Sequence, residues 1–493
     1  MGTDPMRLDL AGEWSGHWWL PAEPDRKVPG VLRYEPGHGL RLSLIGGFED
    51  RVLQPVSPGV VAVMEGTKSW SAIWGVAENK EITLLDCLSI SSLSYGFEFD
   101  GPNKQTIGAL VAVIGVHLED RKQEVFTKSL VSVENLNQWA GSSVFRHSFG
   151  LKDERIDGRG SIFAEPAEEP CVVVDGISMT LSHEHTLPYF DERRGQTVGR
   201  MKDSVLVQFQ PEAPFSLDAA FDHAKAIQDL VSLATYRACA ILRLRLQMPP
   251  KSRDNSEGYP MLNRDIRVYF DGTVRGDADA KAIEFRAILF TCHHIPFEEI
   301  MPRWWQVRQT FLAAANMALG LRYAPARYIQ SNLLTAVGAA EVMHRALGLE
   351  NARMPKLEFD ALRVKLLEQA PEEHRSWLKG LIRNDVTLRE RLKALLALPD
   401  SDAMQRLVPD SEHWAKVATK ARNDLAHTGR TPLHSEDELI AVVNVTSAVV
   451  VMNLLQALGV SSKRQQEVVN DHPELRQTVK HARQHLVSGS DAK

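Results

Sequence analysis

Cysteine is scarce in this chain: Cys87, Cys171, Cys239 and Cys292 are spread over 493 positions with no CxxC pair. That spacing excludes a disulfide framework and a thiolate zinc site, and it suits reduced thiols in a cytoplasmic protein. Long apolar runs are missing as well. No stretch of about 18 purely apolar residues occurs. The nearest, 439–458, is broken by Asn444, Thr446, Ser447, Asn453 and Gln456, which reads as a buried helix and leaves no membrane partner. The opening MGTDPMRLDL lacks the basic-then-apolar layout of a signal peptide, and Met1–Pro5 reads as an addition ahead of a natural start at Met6. There is no basic excess either. With 57 Lys and Arg against 63 Asp and Glu, the net charge of -6 offers no general attraction for nucleic acid, so any RNA contact needs a local patch.

What is present is ordinary globular material, 44% hydrophobic and 24% charged, enough for two to four domains with real cores. The pattern changes character about two-fifths of the way along. Up to about Pro211, short β-type runs alternate with turn residues. Residues 30–46 read as a hairpin, GVLRY and LRLSLIG on either side of a Glu35-Pro36-Gly37-His38-Gly39 turn. Further runs are expected at 60–64, 71–76, 81–93, 106–118, 124–133, 158–164, 171–182 and 203–209. Many short strands of this kind predict an antiparallel sandwich or barrel-like domain over 6–212.

Helical periodicity takes over in a mainly helical connector, 213–324. A long helix is expected over 217–246 with an apolar stripe at Ala220, Ala224, Ile227, Leu230, Val231 and Leu233. A polar loop (249–263), strand-like pieces at 267–270 and 284–291, and a helix over 297–321 follow. Residues 325–460 read as an all-helical bundle with helices at 326–347, 356–368, 372–382, 387–396, 411–427 and 435–458, the last opened by Ser435 and Glu438 in capping-box spacing. A polar helical tail, 461–493, completes an α+β multidomain chain.

Three groups of residues draw attention for chemistry. Six tryptophans, Trp14, Trp18, Trp19, Trp70, Trp74 and Trp139, precede residue 150 and form either a ligand platform or a core. His183-Glu184-His185 would set two imidazoles on one side of a strand, a spacing used by metal sites, although no third ligand is apparent. Cys292, His293 and His294 form half a metal site or an incidental strand end.

The sharpest signal is Arg422-Asn423-Asp424-Leu425-Ala426-His427, followed by Thr428 and Gly429. It closes an amphipathic helix, with Gly429 where a helix ends in a left-handed residue. The Arg-x4-His spacing occurs three times, but Arg33 and His38 enclose a turn, and Arg476 and His481 lie in a polar helix with no adjoining core. Only Arg422 and His427 stand between two helices with apolar faces. At a helix C-terminus the last carbonyls favour the imidazolium of His427. Asn423, four residues earlier, is placed to hydrogen-bond the ring. The Arg422 guanidinium suits a phosphate. A fixed cation beside a titratable imidazole is what RNA cleavage by an internal 2′-hydroxyl requires. Residues 325–460 carry 17 basic and 17 acidic side chains, yet over 411–430 Lys416, Lys420, Arg422 and Arg430 oppose only Glu412 and Asp424. That local positive patch fits RNA.

A helical bundle with Arg422-Asn423-x-x-x-His427 before a long terminal helix resembles HEPN domains. Glu341-Val342-Met343-His344-Arg345 looks like the acidic-x3-basic element that several HEPN families carry in their first helix. The N-terminal GEWSGHWWLPAEPDRKVPGVLRYEPGHGLRLSLIG resembles the opening of ApeA-type proteins, anti-phage defence factors that join a β-rich domain to a HEPN domain. The resemblance implies a metal-independent endoribonuclease without a cofactor. Two motifs would meet in a homodimer or higher homo-oligomer and leave 2′,3′-cyclic phosphate and 5′-hydroxyl ends. A phage-encoded trigger protein would release the nuclease onto cellular RNA, tRNA among it. On that resemblance His427 is the general acid/base, Arg422 the phosphate and transition-state stabiliser, and Asn423 an orienter of His427 or a substrate contact. Glu341 either supports Arg422 or pairs with Arg345. Two alternatives stay open: a catalytically inactive HEPN module that binds RNA or protein, and a metal-dependent β-domain enzyme built on His183 and His185.

Overall fold

The computed structural model describes residues 7–48, 53–57, 60–63, 68–93, 103–250, 263–277 and 281–489. Met1–Pro5 and most of the polar loop at 249–263 lie outside them. The chain forms two compact units, Met1–Ser232 with Ala238–Ile283, and Leu233–Arg237 with Glu284–Lys493.

The first unit begins with β1 (Gly12–Trp19), β2 (Val28–Glu35) and β3 (Gly39–Ile45), continues through a separate hairpin of β4 (Leu53–Ser57) and β5 (Val60–Val63), and resumes with β6 (Ser69–Ala77), β7 (Lys80–Leu93) and β8 (Lys104–Ile114). The expected hairpin forms, with Gly30 opposite Leu44 and Glu35 opposite Gly39. Antiparallel pairings β1–β2, β2–β3, β3–β8, β8–β7, β7–β6 and β6–β1 close a six-stranded barrel. Period-two burial in β2 and β3 turns Leu32, Leu42 and Leu44 inward, where they meet Trp18, Ile82, Leu84 and Ile107. Trp18 fixes the geometry of one wall. Its indole lies across Gly75, where a Cβ would come within 2.3 Å of the ring, and its Nε1 donates to the Gly30 carbonyl at 3.2 Å. Trp14, Trp18, Trp19 and Trp139 are buried, so these indoles serve as core.

The first half of β8 pairs with β3 and its last four residues pair with β18 (Arg264–Phe270), so the sheet leaves the barrel wall there. Between β8 and β18 the chain supplies β9 (Lys128–Val133), helix α1 (Leu136–Ala140), a hairpin of β10 (Phe145–Lys152) and β11 (Arg155–Ala164), then β12 (Cys171–Val174) and β13 (Ile177–His185). A second hairpin of β14 (Tyr189–Arg193) and β15 (Gln196–Arg200) precedes β16 (Asp203–Pro211), helix α2 (Leu217–Thr235) and β17 (Ile241–Met248). The extension runs β18-β17-β9-β16-β13-β12. Helix α2 seats on it through His223, which bonds Ser129 of β9 and stacks on Phe209 of β16.

Two stretches of the 213–324 segment differ from expectation. The helix expected over 217–246 ends at Thr235, because Tyr236 takes a left-handed conformation. Leu242, Leu244 and Leu246 then alternate with Arg243, Arg245 and Gln247, the period of a strand. The strand expected at 284–291 is a single 3-10 turn, Phe285–Ala287, within irregular chain. The 213–324 segment therefore carries α2, two strands of the large sheet and α3.

The second unit contains α3 (Phe297–Tyr323), α4 (Ile329–Ala346), α5 (Lys356–Gln369), α6 (Glu372–Leu381), α7 (Leu388–Ala394), α8 (Ser401–Leu407), α9 (Ser411–Thr428), α10 (Glu436–Ala457), α11 (Ser462–Asp471) and α12 (Pro473–His485). Helix α10 is its axis, buried on all sides and in contact with α3, α4, α8, α9 and α12. It is long and apolar enough to cross a membrane by length and composition, and it lies inside the fold. Asn453, buried in it, donates to the Leu395 and Val449 carbonyls. Ser435 caps it by accepting from the Glu438 N–H. The helix bearing Arg476 and His481 does have a core contact: Leu475, Val479 and Ala482 of α12 are buried, at i, i+4 and i+7. Helices α5 and α6 bury no residue.

His472, only 3% exposed, caps α12. Its Nδ1 accepts from the Leu475 N–H and its Nε2 faces the Ala287 carbonyl at 3.2 Å, which is the neutral tautomer protonated on Nε2. Burial above all pushes its pKa down to about 4. The unfolded chain, with an imidazole near 6.5, takes up the proton first as pH falls. The stabilisation is therefore complete above about pH 6.5 and is lost progressively toward pH 4. Thermal melts at pH 7 and pH 5 should differ by about 1–2 kcal/mol from this group. In His472→Asn, which keeps a capping oxygen, that part of the difference should vanish; an unchanged pH dependence would show that the imidazole is not its source.

Candidate active site

Helix α9 carries the Arg422–His427 segment, and its two ends explain where that segment sits. Asp410 starts it, one carboxylate oxygen accepting the His413 N–H and the other the Ser488 N–H and hydroxyl. Backbone and hydroxyl donors, the His413 N–H first, hold that carboxyl below its usual range. Trp414, Ala415, Val417, Ala418 and Ala421 form the buried face, and the Trp414 Nε1 donates to Thr446 Oγ1 of α10 at 3.2 Å. Beyond Ala421 no residue of α9 is fully buried, so the last two turns leave the core. Gly429, at φ 68°, ends the helix with its N–H on the Leu425 carbonyl.

At 100° per residue, Lys416, Lys420, Asn423 and His427 fall on one stripe, and all four are exposed. Arg422 points to a different side, toward α4, where its Nη2 lies 3.5 Å from Glu341 Oε1. Its Nη1 donates to Asn423 Oδ1 at 3.3 Å. Glu341 is thus paired with Arg422 across two helices; no ion pair with Arg345 occurs among the described residues. The Asn423 amide makes its bond to Arg422 and not to the His427 ring, although the two share a face. Among the described residues the His427 imidazole has no hydrogen-bond or ionic partner, nor do the charged ends of Lys416, Lys420 and Arg430. The arrangement presents one anchored guanidinium, one open imidazole and three unneutralised cations to solvent, groups able to bind a phosphate and to move a proton.

Two residues that the spacing argument did not single out fix the turn after the motif. Thr428 Oγ1 donates to the Asp424 carbonyl at 2.7 Å and accepts the Arg430 N–H at 3.3 Å. The His434 Nδ1 lies 2.7 Å from Glu438 Oε2, tying the far end of the turn to α10. Thr before Gly is the local signal for the first; nothing local marks the second.

The other candidate groups turn out differently. His183 has both ring nitrogens occupied, Nδ1 by Asp203 and Nε2 by Ser142, while His185 is exposed and Glu184 pairs with Arg243 and Arg245. The His294 Nδ1 is engaged by the Thr291 N–H and hydroxyl, and burial pushes the Cys292 thiol up to about 12. Among the described residues no three His, Cys, Asp or Glu side chains are grouped to hold a metal ion.

A family model described as ApeA N-terminal domain 1 matches residues 13–304, and one described as Apea-like HEPN matches residues 334–464. No curated protein and no solved structure matches the chain. The second match spans Glu341, Arg422, Asn423 and His427 together.

Because the motif lies on a solvated helix end, it should be dispensable for folding. The Arg422–Glu341 pair is partly exposed and worth no more than about 1 kcal/mol. Arg422→Ala, Asn423→Ala and His427→Ala should each melt within about 2 °C of the parent protein. A fall above about 5 °C in calorimetry would instead make these residues part of the framework.

Proposed function

The chain belongs to the ApeA family, and from that premise we propose that it is a metal-independent HEPN endoribonuclease of anti-phage defence. One observation carries the reading: the Arg422 guanidinium is anchored by Glu341 beside a His427 ring left open, on a helix face that also bears Lys416 and Lys420. The family match gives an Apea-like HEPN domain; the chemistry is inferred from these side chains.

In the proposed reaction the ribose 2′-hydroxyl attacks the adjacent phosphorus and the bond to the 5′-oxygen breaks. An imidazole takes the 2′ proton and an imidazolium gives one to the leaving oxygen, so the ends are a 2′,3′-cyclic phosphate and a 5′-hydroxyl. Arg422 offsets the charge that gathers on phosphorus. Asn423 holds the guanidinium or contacts the substrate. Lys416, Lys420 and Arg430 bind neighbouring phosphates and set a steep salt dependence. One chain brings one such histidine. A second copy, its motif facing the first, would supply the other proton carrier, and we assign the working form as a homodimer or larger homo-oligomer. The substrate is cellular RNA in the cytoplasm, tRNA included. The β-rich first unit is the restraint that a phage-encoded trigger protein relieves, with growth arrest, an abortive infection, as the outcome.

The test is cleavage of total tRNA by the purified chain in EDTA, followed by analysis of the ends. His427→Ala should lower the rate by at least about 100-fold, and Arg422→Ala by a comparable factor with both variants folded. Cleavage or cellular toxicity unchanged in His427→Ala would favour the inactive HEPN module that only binds RNA or protein.

A further inference from the structure

His183 is bonded on both sides, to Ser142 and to Asp203. We propose that Ser142, His183 and Asp203 form a second, hydrolytic centre in the first unit, with Ser142 as nucleophile toward esters that carry an apolar acyl group. This inference does not rest on the ribonuclease reading and uses none of its residues.

The hydrogen bonds dictate the protonation. Asp203 Oδ1 lies 2.9 Å from His183 Nδ1, while its Oδ2 accepts the Ser143 hydroxyl at 3.0 Å and the Val144 N–H at 3.1 Å. An ionised carboxylate only accepts, so Nδ1 carries the proton. In the neutral ring Nε2 is then a lone pair, to which the Ser142 hydroxyl 3.0 Å away donates. That is a serine held on a general base whose far nitrogen is oriented by a buried carboxylate, the relation by which such triads are recognised whatever their order in the chain.

The framework behind it is rigid. Asp203 opens β16 opposite His185, so it shares a sheet face with His183, two residues away on the neighbouring strand. Asn137 of α1 clamps the same strand, its Nδ2 on the Asp203 carbonyl and its Oδ1 accepting the Val205 N–H. The His183 side chain is 3% exposed, whereas Ser142, after the exposed Gly141, is partly exposed. A mere structural clamp is complete with the His183–Asp203 pair; the hydroxyl on the outer nitrogen is what a nucleophile adds. The backbone N–H groups of Ser142 and Ser143 donate to nothing among the described residues, which leaves two donors for an oxyanion.

The apolar preference comes from the neighbouring chain. The β10–β11 hairpin leaves three residues after Ser142, and the β14–β15 hairpin joins His185 to Asp203. Both expose large apolar side chains, Phe149 and Leu151 on one, Leu187 and Phe190 by the other, the latter two 76% exposed. In the reaction Ser142 Oγ bonds to the ester carbonyl carbon as its proton passes to His183 Nε2. That proton then leaves with the departing alkoxide as an alcohol. Water, giving its proton to Nε2, cleaves the acyl-serine to a carboxylic acid and restores the hydroxyl.

The full chain would be treated with a fluorophosphonate probe and the adduct located by peptide mass spectrometry, alongside hydrolysis of p-nitrophenyl acetate, butyrate and octanoate. An adduct on Ser142, its loss in Ser142→Ala, labelling slowed about 10²–10⁴-fold in Asp203→Asn, and faster turnover of the longer esters support the centre. No adduct on Ser142 of the folded wild-type chain overturns it. So does labelling equally fast in Asp203→Asn, since the serine would then owe nothing to the triad. Wild type requires no mutation, so the result stands even if a variant fails to fold.

Discussion

The seating of α9 against α7, α4 and α10 is the constraint from which the layout of the Arg422–His427 end of the second unit follows. Trp414 to Ala421 bind the helix through a narrow apolar face and one buried indole-to-hydroxyl bond, so its rotation about its own axis is set. With the rotation set, so is the direction of every residue that projects past the core. Arg422 must face α4 and Glu341; Lys416, Lys420, Asn423 and His427 must face solvent. The same apolar stripe that stabilises the bundle thus aims the charged one, and Gly429 with Thr428 stops the helix before the ring can be drawn back into packing.

Glu341 deserves comparison with the cations around it. It holds Arg422 without covering it, since a weak, half-exposed pair at 3.5 Å can yield the guanidinium to a phosphate, whereas a tight buried pair could not. Among the described residues no ion pair engages Lys416 or Lys420, and most acids of this region are bonded elsewhere: Glu412 to Arg389 and Lys393, Asp410 at the helix cap, Glu438 to His434. A chain of net charge -6 keeps a cationic strip in this way.

What could be read from the sequence was what repeats locally. The Glu35–Gly39 hairpin, the α2 stripe, the bundle helices and the Arg422–Gly429 helix end are all patterns within about 20 residues, and the structure contains each of them. Strand β17 is hard to separate from the preceding helix by sequence, because Leu242, Leu244 and Leu246 continue its apolar run and the left-handed Tyr236 that breaks it is not announced by composition. Helix α12 looked polar because its apolar residues occupy one narrow stripe. Long-range chemistry was the least legible. The Asn423 amide could bond Arg422 or His427 on equal spacing, and Ser142, His183 and Asp203 are brought together by strand order, which no local pattern encodes. The His183-Glu184-His185 run points to His185 as the partner of His183, yet its partners lie 41 and 20 residues away.

The proposed chemistry takes its attacking group from the RNA substrate, with Arg422 and His427 as the catalytic groups that the chain supplies. Its most direct measurement replaces the ribose 2′-hydroxyl by hydrogen at the cut nucleotide of an otherwise cleavable RNA and follows that bond with the activated protein. The account predicts that the bond survives while neighbouring sites in the same molecule are still cut. Cleavage of the 2′-deoxy bond at the parent rate would contradict it, because the nucleophile would then be water.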